Sequence, residues 1–248
     1  MSEPRERRTP DPARLKRLLS LFGEKDFANA LVEVNKLIKE FRKSSVSLNF
    51  RGAVKLALGK DDEGIHDYKK AIAIDPKSVD AHNNLGLALQ KKGKMDAALY
   101  SFKRAIAIDH SYSKAYANVG NILSMQGKWS DSLAWYEKAL SFDPNLINAL
   151  NGVSQSLLKL GQFDQAMIPL DKVLIVDVEN VSAHFNKANI FLAQSNFAEA
   201  ILWYQKTVDL DFNFAEAHNN MGSALEQSGQ IIEAKKSYLK ALELKPEY

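Results

Sequence analysis

The chain has 248 residues, 46% hydrophobic and 25% charged, with a net charge of only +3, a balance ordinary for a folded soluble protein and unlike a strongly basic nucleic-acid binder. It contains no cysteine, which excludes disulfides, thiolate metal sites and cysteine nucleophiles. No apolar run approaches the roughly 18 residues needed to cross a bilayer.

Residues 1–10, MSEPRERRTP, have no apolar core and so do not form a secretory signal. Pro4, Pro10 and Pro12 mark a short disordered lead-in, and a cytoplasmic location is the expectation. From Asp11 onward the chain repeats with a period of 34 residues. Asp75, Asp109, Asp143, Asp177 and Asp211 stand 34 apart. Gly52, Gly86, Gly120 and Gly222 share one column, with Ser154 and Ala188 filling its gaps. Gly59, Gly93, Gly127, Gly161 and Gly229 share another, and Tyr68, Phe102, Tyr136, Tyr204 and Tyr238 a third. The frame gives seven units: 11–44, 45–78, 79–112, 113–146, 147–180, 181–214 and 215–248.

In the first unit Arg14 and Arg17 fall on core positions, while Leu15, Leu18, Leu19 and Phe22 make a better stripe one residue later. That shift predicts a one-residue deletion in the unit's turn and an N-terminal capping role. Residues 1–44 carry 11 basic and 7 acidic side chains, which suits such a cap. The third unit shows the general plan. Ala81, Leu85 and Leu89 form one apolar helical face, and Ala98, Phe102, Ala105 and Ile106 form a second. Gly93 lies between them, where a helix end favours positive φ. Asp75-Pro76 and Asp143-Pro144 end second helices, because a residue before proline avoids the helical region. Glycines inside first helices cost about 1 kcal/mol each, and their recurrence predicts a close approach by the second helix. Pro169 predicts a kink in the second helix of the fifth unit. The last unit has no polar capping helix after it, so the natural chain is expected to continue past Tyr248. Met221, Leu225 and Tyr238 are expected to help form an uncovered end there, a surface that would support self-association.

These residues resemble the tetratricopeptide repeat, a 34-residue helix-turn-helix. The third unit carries the pattern as His82, Leu85, Gly86, Leu89, Ala98, Phe102 and Ala105, with His110 in place of its final proline. The seventh carries His218, Met221, Gly222, Leu225, Ala234, Tyr238, Ala241 and Pro246. The resemblance implies an all-α fold, a right-handed α-solenoid of about seven units, whose first helices line a concave groove.

Groove positions outside the core are rich in amides. One column holds Asn84, Asn118, Gly152, Asn186 and Asn220, and its neighbour holds Asn49, Asn83, Ala117, Asn151, Phe185 and Asn219. A third adds Asn121, Gln155, Asn189 and Ser223. An asparagine offers one acceptor and two donors, enough to hold a peptide N–H and C=O together. The ladder is similar to the one lining the repeat arm of O-GlcNAc transferases. That likeness implies peptide contact by Asn84, Asn118, Asn186 and Asn220, with Gly152 breaking the ladder. Bridging between neighbouring repeats is the structural alternative for the same residues. Chaperone-binding tetratricopeptide domains clamp a carboxylate with basic groove residues, but here those positions hold Asn49, Asn83, Leu87, Asn118 and Asn151, with Lys114 alone matching.

Trp135, Pro169 and Trp203 share a column on second helices and suggest either a second contact surface or partial core packing. His82, His184 and His218 share a column a whole repeat apart, too far for one metal, and read as packing residues. The run Asp61, Asp62 and Glu63 suits a helix start. No phosphate-cradling motif or nucleophile elbow appears. The expectation is a non-enzymatic scaffold with no cofactor and no metal, whose partner is a protein or extended peptide. Neither nucleic acid nor membrane is expected as a partner. Two other readings are the N-terminal arm of a longer glycosyltransferase or sulfotransferase and a self-associating scaffold.

Overall fold

The computed structural model describes residues 10–247, which fold into fourteen α-helices with no strand among the described residues. They pair as α1 (Pro12–Gly23) with α2 (Phe27–Glu40), α3 (Ser45–Ala57) with α4 (Asp61–Ile74), and α5 (Val79–Lys91) with α6 (Met95–Ile108). Next come α7 (Ser113–Met125) with α8 (Trp129–Phe142), and α9 (Ile147–Lys159) with α10 (Phe163–Val176). The last pairs are α11 (Val181–Ala193) with α12 (Phe197–Leu210), and α13 (Ala215–Gln227) with α14 (Ile231–Leu244). Residues 1–9 of the expected lead-in, and Tyr248, lie outside the described residues. Pro10, assigned to that lead-in from the sequence, is buried. The chain divides into two compact units, one ending at Ile122 and the other starting at Leu123.

Local chemistry explains the recurring columns. The turn between paired helices needs one residue with positive φ. Gly59, Gly93, Gly127, Gly161 and Gly229 supply it at +72° to +82°, while Lys25 and Ser195 take the same conformation at +59° and +58°. The aspartate column also has a reason that periodicity did not disclose. After four of the second helices the carboxylate accepts the N–H two residues on: Asp75 from Lys77 at 3.1 Å, Asp109 from Ser111 at 2.8 Å, Asp143 from Asn145 at 3.2 Å and Asp211 from Asn213 at 3.0 Å, while Asp177 accepts from Asn180 Nδ2 at 2.9 Å. Such a turn holds the chain as it leaves the helix. The three aligned histidines fasten the same corner. His82 meets Pro76 O at 3.1 Å, His184 meets Val178 O at 2.8 Å and His218 meets Phe212 O at 3.0 Å.

In the first unit, the first helices α3 and α5 touch one another, and each packs on its own second helix. The glycine column permits that packing. A Cβ on Gly86 would lie 2.4 Å from Phe102 Cε1, and one on Gly52 would lie 2.6 Å from Tyr68 Cε1. Gly86 and Gly52 therefore face the aromatic of their own hairpin directly.

The first hairpin solves the same packing problem differently. Leu18 stands in the glycine column and Val34 in the aromatic column, and both are fully buried with Leu37. The deletion expected in its turn is absent. Lys25 takes the left-handed conformation 34 residues before Gly59, and α2 starts 34 residues before α4. The apolar stripe moved because a leucine fills the space an aromatic ring occupies elsewhere.

In the second unit, α9, α11 and α13 touch in sequence to form a first-helix layer, with α10, α12 and α14 packed on it. Gly222 faces Tyr238, a Cβ there lying 2.8 Å from the ring. Ser154 replaces glycine where Leu170 replaces the aromatic. α10 stays helical through Pro169, which is buried. The uncovered end expected at Met221 and Leu225 is corrected by their burial, to 8% and 6% exposure, between α13 and neighbouring helices. The apolar surface on α14 instead comes from Ile231, Leu239 and Leu242 around Tyr238.

Candidate functional site

The asparagines of these columns are half-buried on the first-helix layers, apart from Asn83, which is buried, while Gln155 is exposed. In the first unit they pair with one another. Asn84 Nδ2 donates to Asn49 Oδ1 at 3.1 Å, and Asn118 Nδ2 donates to Asn83 Oδ1 at 2.9 Å. Each rung joins residues 35 apart, so it ties one hairpin to the next. Asn121, on α7, is also engaged.

The second unit breaks the pattern. Asn220 has Phe185 at the position 35 residues before it and turns to Asn189, donating to its Oδ1 at 3.1 Å. The same oxygen accepts from Tyr204 Oη at 2.5 Å, and Asn219 Nδ2 donates to Asn220 Oδ1 at 3.3 Å. Gly152 is a packing necessity, because a Cβ there would lie 2.3 Å from Tyr136 Cζ.

Asn151 and Asn186 have the separation of the closed rungs, yet no hydrogen bond joins them. Asn151 Oδ1 is buried with no partner, and Asn186 makes no side-chain hydrogen bond among the described residues. This rung is open. A buried acceptor without a donor is costly, about 1–3 kcal/mol, and such groups in folded proteins call for a partner. Phe185, beside Asn186, packs its ring on Phe214 at 4.7 Å and on Tyr204 at 6.0 Å. An amide pair beside an aromatic floor can hold one peptide unit and the side chain next to it.

Trp135 and Trp203 are half-buried and form no continuous exposed stripe. Trp203 lies between two cations, with Lys187 Nζ 4.3 Å and Lys206 Nζ 4.1 Å from its ring centroid. His184 tilts against the same ring at 5.4 Å.

One cluster escaped the sequence reading. Arg51 occupies a column that elsewhere holds Leu85, Val119, Val153 and Met221, and Asp67 occupies the column of the tryptophans. Asp67 is 1% exposed and receives Arg51 Nε at 2.8 Å, Arg51 Nη2 at 2.6 Å and Lys55 Nζ at 2.8 Å. Arg51 also donates to Asn35 Oδ1 at 3.1 Å, and Lys55 pairs with Glu63 at 3.2 Å. Burial pushes the Asp67 carboxyl up, but the Arg51 and Lys55 bonds outweigh it and hold the group below its ordinary value. The signal in the sequence was an arginine in an apolar column. Lys187, in that same column, pairs with Asp171 at 2.7 Å.

No group of three or more metal-ligating side chains occurs among the described residues. No helix among them is long and apolar enough to cross a membrane.

Comparison with known proteins places these hairpins. A family described as TPR repeat matches residues 52–93 and 188–229. Two described as Tetratricopeptide repeat match 79–112 with 215–248, and 113–146. Together the matched stretches cover well over half of the chain. No curated protein matches by sequence. Among solved structures, the chain resembles one in the APC/C hetero-tetramer Cut9-Hcn1, with a TM-score of 0.85 and 15% identity, over 93% of this chain and 46% of that one. The chain thus spans about half the length of that relative. It is also similar to a tetratricopeptide repeat protein from Parabacteroides merdae, with a TM-score of 0.72 and 13% identity, over 94% and 92% of the two chains. YrrB, described as a TPR protein with an unusual peptide-binding site, gives a TM-score of 0.54 and 17% identity, over 74% and 95%. At these identities the likeness shows the fold.

Proposed function

Because the chain belongs to the tetratricopeptide repeat family, we propose that it is a protein-interaction scaffold and that it holds an extended peptide against the open amide rung of its second unit. The observation that carries this reading is Asn151 Oδ1, a buried acceptor with no donor, opposite an unengaged Asn186. A peptide N–H would supply the missing donor, and the Asn186 amide would meet a neighbouring carbonyl. Phe185 gives an adjacent side chain apolar contact. Asn49, Asn83, Asn84 and Asn118 bond one another, so their first role is to join hairpins. The same holds for Asn189, Asn219 and Asn220, which satisfy one another and Tyr204. The fold's description in YrrB as carrying a peptide-binding site supports the class of ligand.

The test selects peptides from an unbiased display library against the whole chain. It then measures them against two double variants. Asn151→Ala with Asn186→Ala should abolish binding without lowering the thermal unfolding midpoint, and loss of the unsatisfied acceptor should if anything raise it. Asn84→Ala with Asn118→Ala should lower the unfolding midpoint and leave binding in place. Selected peptides that ignore the first pair, or a library that yields none, would overturn the proposal.

A further inference from the structure

The second unit carries another unusual surface, on the side of α10 and α12 away from the first-helix layer. A helix face turned to water is ordinarily polar, and exposed apolar side chains grouped together mark contact sites. Here Ile168 is 58% and Ile175 84% exposed on α10, and Leu202 is 49% exposed on α12. Between the apolar positions of each helix stands one lysine. Ile168, Lys172 and Ile175 follow helical spacing, as do Leu202, Lys206 and Leu210; Leu202 and Lys206 lie one 34-residue repeat after Ile168 and Lys172.

Neither lysine has an ion-pair partner among the described residues, and local chemistry explains why. The residue four before each lysine, where a helical acid would pair with it, is Ile168 or Leu202. The acids beside them in sequence are engaged elsewhere. Asp171 binds Lys187 at 2.7 Å, and Asp209 accepts from Gln205 Nε2 at 2.8 Å. Lys206 is held over the Trp203 ring, with its Nζ 4.1 Å from the centroid. Each helix thus presents a cation without a carboxylate partner, flanked by exposed aliphatic chains.

We propose that this face docks an acidic amphipathic helix of a partner protein, laid across α10 and α12. Its carboxylates pair with Lys172 and Lys206, and its apolar residues cover Ile168, Ile175 and Leu202. Acids at i and i+7 are about two turns apart on one face of a helix, so both can be turned toward the two lysines. Two other occupants fit less well. A two-fold contact between copies of this chain would set the lysine-bearing ridges against each other. An anionic membrane would face the whole unit, whose residues 123–248 hold 10 basic and 15 acidic side chains, a net −5 that opposes a broad anionic surface more than a single helix seated on two lysines. The docking face is separate from the open amide rung and does not depend on it.

The test uses the full chain and a fluorescent helical peptide with glutamates seven residues apart beside a leucine stripe. A twin peptide has lysine at those glutamates. The acidic peptide should bind at least tenfold more tightly than its twin. Ile175→Ser and Leu202→Ser should each weaken it about tenfold with an unchanged circular-dichroism melt. Lys172→Glu with Lys206→Glu should reverse the preference, so that the lysine twin binds better. Asn151→Ala should have no effect. Equal binding of the two peptides, no binding of either, or failure of the charge reversal would overturn the proposal. So would co-flotation with vesicles containing one quarter phosphatidylserine that Ile175→Ser abolishes. A concentration-dependent dimer in sedimentation that the same variant abolishes would equally reject it.

Discussion

Gly86→Ala puts opposing effects on one methyl group. Alanine is about 1 kcal/mol better than glycine inside a helix, so an unobstructed site would gain that much. Gly86 is obstructed: the new Cβ would lie 2.4, 2.6 and 2.9 Å from Phe102 Cε1, Cδ1 and Cζ. Phe102 is fully buried and has no free volume to move into. Overpacking of this kind costs about 1–3 kcal/mol, so the expected net loss is about 1 kcal/mol. Phe102→Leu removes the ring that the methyl meets, as Leu170 does opposite Ser154. In that background Gly86→Ala should change sign and stabilise by up to about 1 kcal/mol, giving a coupling of about 2 kcal/mol between the two sites. Urea unfolding followed by circular dichroism measures all four proteins. A nearest-neighbour fit is appropriate, because each hairpin contacts only its neighbours. Gly86→Ala that stabilises the parent chain, or adds without coupling to Phe102→Leu, would refute the close-approach explanation of the glycine column.

Three further outcomes follow from the same structure. Asp67→Asn should cost about 3–5 kcal/mol by leaving Arg51 and Lys55 unpaired, while Arg51→Leu with Asp67→Ser, the pairing of Leu85 and Ser101 one repeat later, should recover most of it in urea unfolding. Because the Asp67 carboxyl is held below its ordinary value, its contribution is complete above the unfolded value of about 3.9 and disappears as pH falls through the folded value; the difference between wild type and Asp67→Asn should therefore shrink in acid. Ser195→Gly relieves a positive φ and should raise stability by about 0.5–1 kcal/mol, read as a higher urea midpoint. Burial pushes the Tyr136 hydroxyl up to about 12, with the Ser124 hydrogen bond opposing the shift, and burial raises Tyr68 and Tyr204 as well. The unfolded chain then loses these protons first, so stability should fall as pH rises above about 10, with tyrosinate absorbance appearing together with unfolding.

The hairpins were legible because repetition multiplies a weak signal. One glycine inside a helix is ambiguous, whereas glycines recurring 34 residues apart opposite aromatics specify a contact. The first hairpin misled for a related reason. The leucine stripe looked displaced, and only packing shows that Leu18 against Val34 fills the volume of a glycine and a ring. The Arg51 and Asp67 pair was hidden because its members lie on different helices, and a column shows only that each residue is unusual. The aspartate column was visible, but its purpose depended on where each carboxylate turns after the helix ends. Amide identity was legible too, while hydrogen-bond partners were not. Asn84 and Asn186 share a column, yet one bonds Asn49 and the other makes no side-chain hydrogen bond among the described residues.

That last difference decides where a peptide gains most from an amide face. At a closed rung, a peptide N–H that reaches Asn49 or Asn83 competes with an existing Asn–Asn bond. It exchanges one hydrogen bond for another, and the net gain is small against the 0.5–1.5 kcal/mol typical of a single bond. At the open rung no bond is displaced. Asn151 Oδ1 is already removed from water and unsatisfied, so its desolvation cost of about 1–3 kcal/mol is carried by the folded chain before any ligand arrives. A donor that reaches it recovers that energy, which corresponds to roughly 5- to 150-fold in affinity. On our proposal, then, a uniform row of asparagines would bind peptide weakly along its length. A row with most rungs closed and one left open concentrates affinity at one place and fixes the register of the chain it holds.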